Sequence, residues 1–297
     1  MSSSFVSLQA DASLSVEAIM QDFEWRKYHV IRTESCWWYN EYHQTRLYSA
    51  FPFQRKIAPS NRELACVFQA APNAFALRFL TTQKMSELSF IWTRRRPYGL
   101  QILSANSRSK IRRGLARCQI RKITFSEIVQ MGWPAHQDTL RRHGERATTL
   151  GLDESLSECS AWQAWGAFVD NDLAAFLVTL QVEDWVHLLI NRSMDSHLKA
   201  YPNNALVYAV VQMYLARPEI STICYGLESL AAPNTLNQYK ESMGFVREQI
   251  YQRVVLRPVL RPLFNPAMRQ LILRVALLRP SDMRLQKLAG LLRLVLN

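Results

Sequence analysis

Residues 199–215, KAYPNNALVYAVVQMYL, follow a hydrophobic strand candidate, WVHLLIN at 185–191, and read as a loop feeding a helix. Strand, loop and helix N-terminus together make an anion cradle, because the unpaired N–H groups of the first turn and the helix dipole both favour negative charge. Lys199 adds a positive charge to that loop, Asn203 and Asn204 stand where they would cap the helix, and Asn191 closes the strand; these are the donor-binding candidates. Ordinary capping by the two asparagines is the alternative. Arg108, Arg112 and Arg113 offer guanidinium forks whose geometry suits phosphate. They belong to a run from Arg94 to Lys122 holding ten basic residues and no acidic one, which reads either as a solvated face or as an anion-binding surface. His136, His143, His187 and His197 show neither ligand nor triad spacing, and the five cysteines form no CxxC pair, so no metal site is expected.

These residues must be positioned by a mixed set of elements. Residues 25–102 alternate aromatic-rich strand candidates (WWYNEYH, TRLYSAF, AFALRFL, LSFIWTR) with one helix, PSNRELACVFQ, in which Ser60 and Glu63 have capping-box spacing. A helix over about 107–117 with Gly114 as a weak point, a strand over about 119–124, and a second helix interrupted near Pro134 come next. Three apolar runs separated by Asp170-Asn171-Asp172 and Glu183-Asp184 then form a β-meander pattern. The helix over about 203–216, the strand ISTICYGL, the helix PNTLNQYKESMG and the strand FVREQIYQRVVL complete the order.

Prolines at 258, 262 and 266 read as an extended connector, and two helical stretches follow, the second capped by Ser281 with Leu285, Leu288, Ala289, Leu292 and Leu296 on one face. From Arg253 onward nine basic residues face one acidic residue, Asp282, so this end carries +8 of the chain's formal +12. It reads as a hairpin packed on the domain, as a membrane-surface element over 266–297, or as a partner contact. A chain of 297 residues with 48% hydrophobic content builds a sizeable core, and its charge implies an anionic partner. The Ser-rich residues 1–15 read as disordered, with no export-signal pattern and no apolar run long enough for a membrane span, which points to a cytoplasmic protein.

The segments SRSKIRRGLARCQIRKI, NDLAAFLVTL, YPNNALVYAVVQMYL and YKESMGF, in that order over 104–256, resemble the FemAB-like branch of the GNAT acyltransferase superfamily. The resemblance implies an α/β (α+β) fold with a mainly antiparallel twisted sheet flanked by helices, a GNAT-like unit over 104–257, a degenerate first unit over 16–103, and a basic helical tail over 258–297. It implies transfer of an acyl or aminoacyl group to an amine. No glycine occurs from 167 to 225, so the glycine loop that usually holds coenzyme A is absent; the donor stays open between acyl-CoA, a carrier protein and aminoacyl-tRNA. Four residues before Gly244, where acetyltransferases of the superfamily often have a Tyr, stands Lys240, with Tyr239 beside it. That pair resembles the FemAB-like aromatic-Lys pair, in which the Lys stabilises the developing oxyanion. Glu228, at the end of ISTICYGLE, falls where such a sheet opens, as base or amine ligand. A silent GNAT fold that binds nucleic acid or an anionic membrane surface is the alternative.

Overall fold

A computed structural model describes residues 15–41, 46–84, 89–144, 147, 159–228, 234–264, 266–279 and 282–295. Ser15 caps the first helix, its Oγ accepting from Ala18 N at 3.2 Å. The elements of the first half are α1 (Val16–Trp25), β1 (Val30–Arg32), β2 (Trp37–Asn40), β3 (Leu47–Phe51), α2 (Asn61–Ala70), β4 (Ala76–Thr81) and β5 (Ser89–Arg94). The second half runs α3 (Ala105–Arg117), β6 (Gln119–Ile123), α4 (Phe125–Met131), α5 (Trp133–Arg142), β7 (Trp162–Val169), β8 (Asp172–Val182), β9 (Trp185–Ser193), α6 (Pro202–Ala216), β10 (Thr222–Leu227), α7 (Asn234–Ser242) and β11 (Val246–Leu256). A 3₁₀ turn (Pro258–Phe264), α8 (Pro266–Leu278) and α9 (Met283–Arg293) form the tail.

All eleven strands make one mixed sheet in the order β1-β2-β3-β4-β11-β5-β10-β9-β8-β7-β6. Only β3/β4 and β9/β10 run parallel, each pair joined through a helix, α2 and α6 respectively. Each half sends its last strand into the other: β5 pairs with β10, β11 pairs with β4, and β5 and β11 pair with each other at the centre. The two halves of the chain thus build one sheet with exchanged final strands. The boundary near residue 103 therefore divides the chain but not the sheet.

Side-chain alternation along β8 sorts the layers. Ala175 and Leu177 pack with α6 and with Ile111 of α3, while Phe176 and Val178 pack with Phe125 and Ile128 of α4 and Ala135 of α5. Leu180 and Val182 meet Ile19, Met20 and Phe23 of α1, and α2 covers β2, β3 and β4 through Leu64, Val67 and Phe68. The β7–β8 turn places Asp170 and Asn171 at φ 49° and 71°, as a tight turn of the predicted kind requires.

Some local expectations change. Ser60 Oγ does accept from Glu63 N at 3.1 Å, but the Glu63 carboxylate turns away to take the N–H and hydroxyl of Ser35, so half of the capping box forms. The complete box lies at α4, between Thr124 and Glu127. The proline-spaced segment winds into a short 3₁₀ helix instead of an extended connector, because proline's fixed φ fits that helix. Asp282 Oδ1 accepts from Leu285 N at 3.0 Å at the start of α9; Ser281, Leu296 and residues 1–14 lie outside the described residues.

Gly114 is a contact rather than a weakness. A Cβ there would sit 2.7 Å from Tyr201 O and 2.8 Å from Ala205 Cβ, so glycine lets α3 close on the start of α6. In a free helix Gly→Ala stabilises by about 1 kcal/mol. Here Gly114→Ala is expected to destabilise by roughly 1–3 kcal/mol through overpacking, read as a lowered urea midpoint at unchanged slope.

Candidate active site

The site begins with a fault in a strand. Between Val178 and Thr179 the β8–β9 register slips, leaving Leu189 as an extra residue of β9. Such a bulge bends its strand. β9 and β10 are paired only over Trp185–His187 and Thr222–Cys224, and beyond that both strands continue without pairing to each other. A wedge thus opens at the carboxyl ends of two parallel strands, the usual ligand position in sheets of this kind.

Asn191 and Tyr225 bridge the wedge, Asn191 Nδ2 donating to Tyr225 Oη at 2.7 Å. α6 starts at its mouth without a side-chain cap, after Tyr201 in the left-handed region (φ 57°, ψ 42°) and with Pro202 in its first turn. Asn203 and Asn204 consequently lie inside the helix and do not cap it. Asn203 Nδ2 donates to Ser193 Oγ at 2.9 Å, and Asn204 Nδ2 approaches Met243 Sδ at 3.4 Å. The buried Oδ1 atoms of Asn191 and Asn203 accept no hydrogen bond. Each is a buried acceptor that the described residues leave unsatisfied, the kind of group that calls for a partner.

α7 carries both members of the predicted pair inward. Tyr239 Oη donates to Asn203 O at 3.2 Å, and burial beside Tyr225 and Tyr98 holds its pKa well above the ordinary value, so it keeps its proton. Lys240 is 5% exposed; its Nζ donates to Leu227 O at 3.3 Å and lies 5.4 Å from the centre of the Tyr225 ring. Burial pushes its ammonium down to about 8, with Cys224 and Glu228 acting in the opposite sense. Near pH 7 Lys240 remains mainly a cation, in a setting where one positive charge is felt strongly.

Glu228 stands next to this group but is occupied. Arg247 donates to Oε2 from Nη2 at 2.7 Å and from Nε at 3.2 Å, and Asn237 Nδ2 donates to Oε1 at 3.0 Å. A carboxylate gripped on both oxygens is poorly placed to take a proton, so its geometry is that of an anchor between β10, α7 and β11.

The basic run is divided among several jobs. Arg108 donates to Leu103 O at 2.6 Å, Arg96 to Ile220 O at 2.9 Å and Arg117 to Lys199 O at 3.1 Å, while Arg95 and Arg121 pair with Glu248 and Glu127. These cations hold backbone ends and ion pairs, which corrects the reading of the whole run as one anion-binding surface. Arg112 is exposed on α3, and Arg113 lies over the Tyr201 ring at 4.6 Å. With the exposed Lys199, the Gly114 contact thus brings Arg113 to the loop before α6.

Tyr225, Arg247 and Asn237 were not singled out from sequence. A polar-tipped aromatic at the end of a strand was the available signal for Tyr225; Arg247 and Asn237 carry none without the fold. A cavity of about 660 Å³ lined by Trp37, Arg55, Glu183 and Asp184 lies at the other end of β9. From Asp184 to Asn191 is on the order of 20 Å of strand, so that cavity is separate from the wedge. Among the described residues no group of His, Cys, Asp and Glu could hold a metal ion.

The parallel pair opened by a bulge, the meander before it and the helix-strand-helix-strand after it define the GNAT fold. FemX superposes with a TM-score of 0.56 at 9% identity, over 86% of this chain and 95% of its own. The C-terminal DUF2156 domain of a candidate lysylphosphatidylglycerol synthetase from Agrobacterium fabrum gives 0.52 at 13% identity, covering 84% and 88%. L-PGS from Bacillus licheniformis gives 0.52 at 10%, covering 82% and 93%. No protein-family model and no curated protein matches the sequence.

The buried ammonium has a measurable signature. The folded pKa of Lys240 lies below its unfolded value of 10.5, so burial penalises the charged form below about pH 8 and the penalty is relieved as pH rises toward 10.5. Lys240→Met is expected to melt a few degrees above the parent at pH 7, with the gap closing through that window, as followed by thermal denaturation against pH.

Proposed function

We propose that the chain is a cytoplasmic N-acyltransferase that moves an acyl or aminoacyl group from an anionic donor to an amine at the β9/β10 wedge. The observation that carries the reading is Lys240: an ammonium 5% exposed, with one acceptor among the described residues, under a tyrosine at the carboxyl end of β10. Burying that charge is costly, and a carbonyl oxygen becoming negative would repay it.

In the proposed reaction the acceptor amine is oriented by the free Oδ1 atoms of Asn191 and Asn203 and attacks the acyl carbonyl carbon. The N–C bond forms, the bond from carbonyl carbon to the donor oxygen or sulfur breaks, and the amine proton ends on the leaving group. Lys240 stabilises the oxyanion in between. Tyr239 holds the start of α6 through Asn203 O, and Glu228 holds α7 and β11 in register through Asn237 and Arg247. The donor favoured by the site is an aminoacyl-tRNA. Tyr201 and its stacked Arg113 occupy the place where glycines would let a pyrophosphate reach the backbone, while Arg112, Arg113 and Lys199 offer charge to a larger polyanion.

The fold shared with FemX supports the reading. A second reading, a silent GNAT fold that binds nucleic acid, is favoured by the occupied Glu228 and by the Asn191–Tyr225 bridge across the wedge.

Single-turnover transfer from charged tRNA, acetyl-CoA and a long-chain acyl-CoA to a panel of amines separates the two. Transfer from charged tRNA is expected, falling by about 10²–10³ in Lys240→Ala and far less in Glu228→Gln. Full activity in Lys240→Ala would remove the oxyanion role, and binding without transfer from any donor would establish the silent module. The rate with Lys240 intact should also fall as pH rises through about 8, where the ammonium is lost.

A further inference from the structure

The amphipathic sequence of α9 is used up in packing. Ala289, Leu292 and Leu294 are buried, Val295 bridges to Val254 of β11, and Gln286 Nε2 donates to Ala276 O at 2.6 Å, fastening α9 to α8. The preceding segment behaves in the opposite way. The four most exposed large apolar side chains among the described residues are Leu278 (81%), Leu277 (76%), Val259 (73%) and Leu263 (61%), all within the 3₁₀ turn and α8. Leu271 is exposed on α8 as well. Interspersed with them are the exposed Arg261, Arg274 and Arg279, and no acidic residue occurs between Glu248 and Asp282.

We propose that the 3₁₀ turn Pro258–Phe264 and α8 form a docking surface for an anionic lipid bilayer. The exposed valine and leucines enter the boundary between headgroups and acyl chains, and the arginines meet the headgroup phosphates. Charge selects this occupant. A second copy of the chain would bring the same uncompensated cations against themselves, and a nucleic acid duplex would leave the leucines in water. An anionic bilayer supplies both complements at once. No described helix is long and apolar enough to cross a membrane, so the contact is peripheral.

The direction of the sheet gives the surface a consequence for the wedge. β10 and β11 are both antiparallel to the β5 strand between them and therefore run the same way. The chain leaves β11 into the docking surface at the end of the sheet toward which the carboxyl end of β10 also points. The docking itself does not depend on the transferase reading.

Flotation of the full chain with phosphatidylcholine vesicles, and with vesicles containing phosphatidylglycerol, tests the proposal. Binding to the anionic vesicles alone is expected, weakened about tenfold or more in Leu277→Asp/Leu278→Asp and to a similar degree in Arg274→Ala/Arg279→Ala. These side chains are exposed, so melting temperatures should be unchanged, and Val259→Asp provides an independent variant. Absence of flotation with either vesicle, or anionic binding that survives both double variants, would overturn the proposal. So would a mass by analytical ultracentrifugation that falls from dimer to monomer in the leucine variant with flotation intact, or salt-sensitive binding to RNA with none to vesicles.

Discussion

Everything in this molecule hangs on the backbone ladder between β5 and β11. These are the last strands of the two halves, and each is paired on its outer side with the other half's parallel pair. The exchange converts two small sheets, each with an unpaired edge, into one eleven-stranded sheet whose central edges are all satisfied. It also fixes the far ends of the site: Lys240 lies on the connection between β10 and β11, and Glu228 reaches Arg247 at the start of β11. The site belongs to the second half by sequence and to both halves by support, since β10 and β11 are spaced by a strand of the first.

Two small departures from regularity then create the wedge within that rigid frame. The extra residue Leu189 bends β9 away from β10, and Gly114 lets α3 press against the beginning of α6. One makes the opening and the other brings Arg113 to its rim. Neither is costly on its own, because the bulge sits where the pairing ends and the glycine is held by the helix it approaches.

Much of this was legible in the residues. The meander, α6, α7 and β11 follow from period-two and helical patterns with their turn residues, and the position of Lys240 before Gly244 was enough to name it. What escaped has a common cause. The exchange of β5 and β11 is a pairing across more than 150 positions, and no local pattern encodes it. Roles that depend on which partner arrives share that limit: Arg96 and Arg117 spend their charge on carbonyls brought in by distant loops, and Glu228 is claimed by Arg247. Glu63 shows the same competition locally, where a capping-box spacing lost its carboxylate to Ser35. The tail stayed open between packing, membrane and partner because helical periodicity shows that a face is apolar, not what will cover it.

The strand exchange also sets a schedule for a ribosome. β5 ends at Arg94, whereas its neighbours β10 and β11 are finished at Leu227 and Leu256. At roughly 5–20 residues per second of synthesis, the first half waits on the order of 10–30 s with β4 and β5 both lacking β11, the strand that will lie between them. During that interval each has at least one edge without its native partner, so shielding of β4 and β5 until residue 256 has emerged follows from how the sheet is joined.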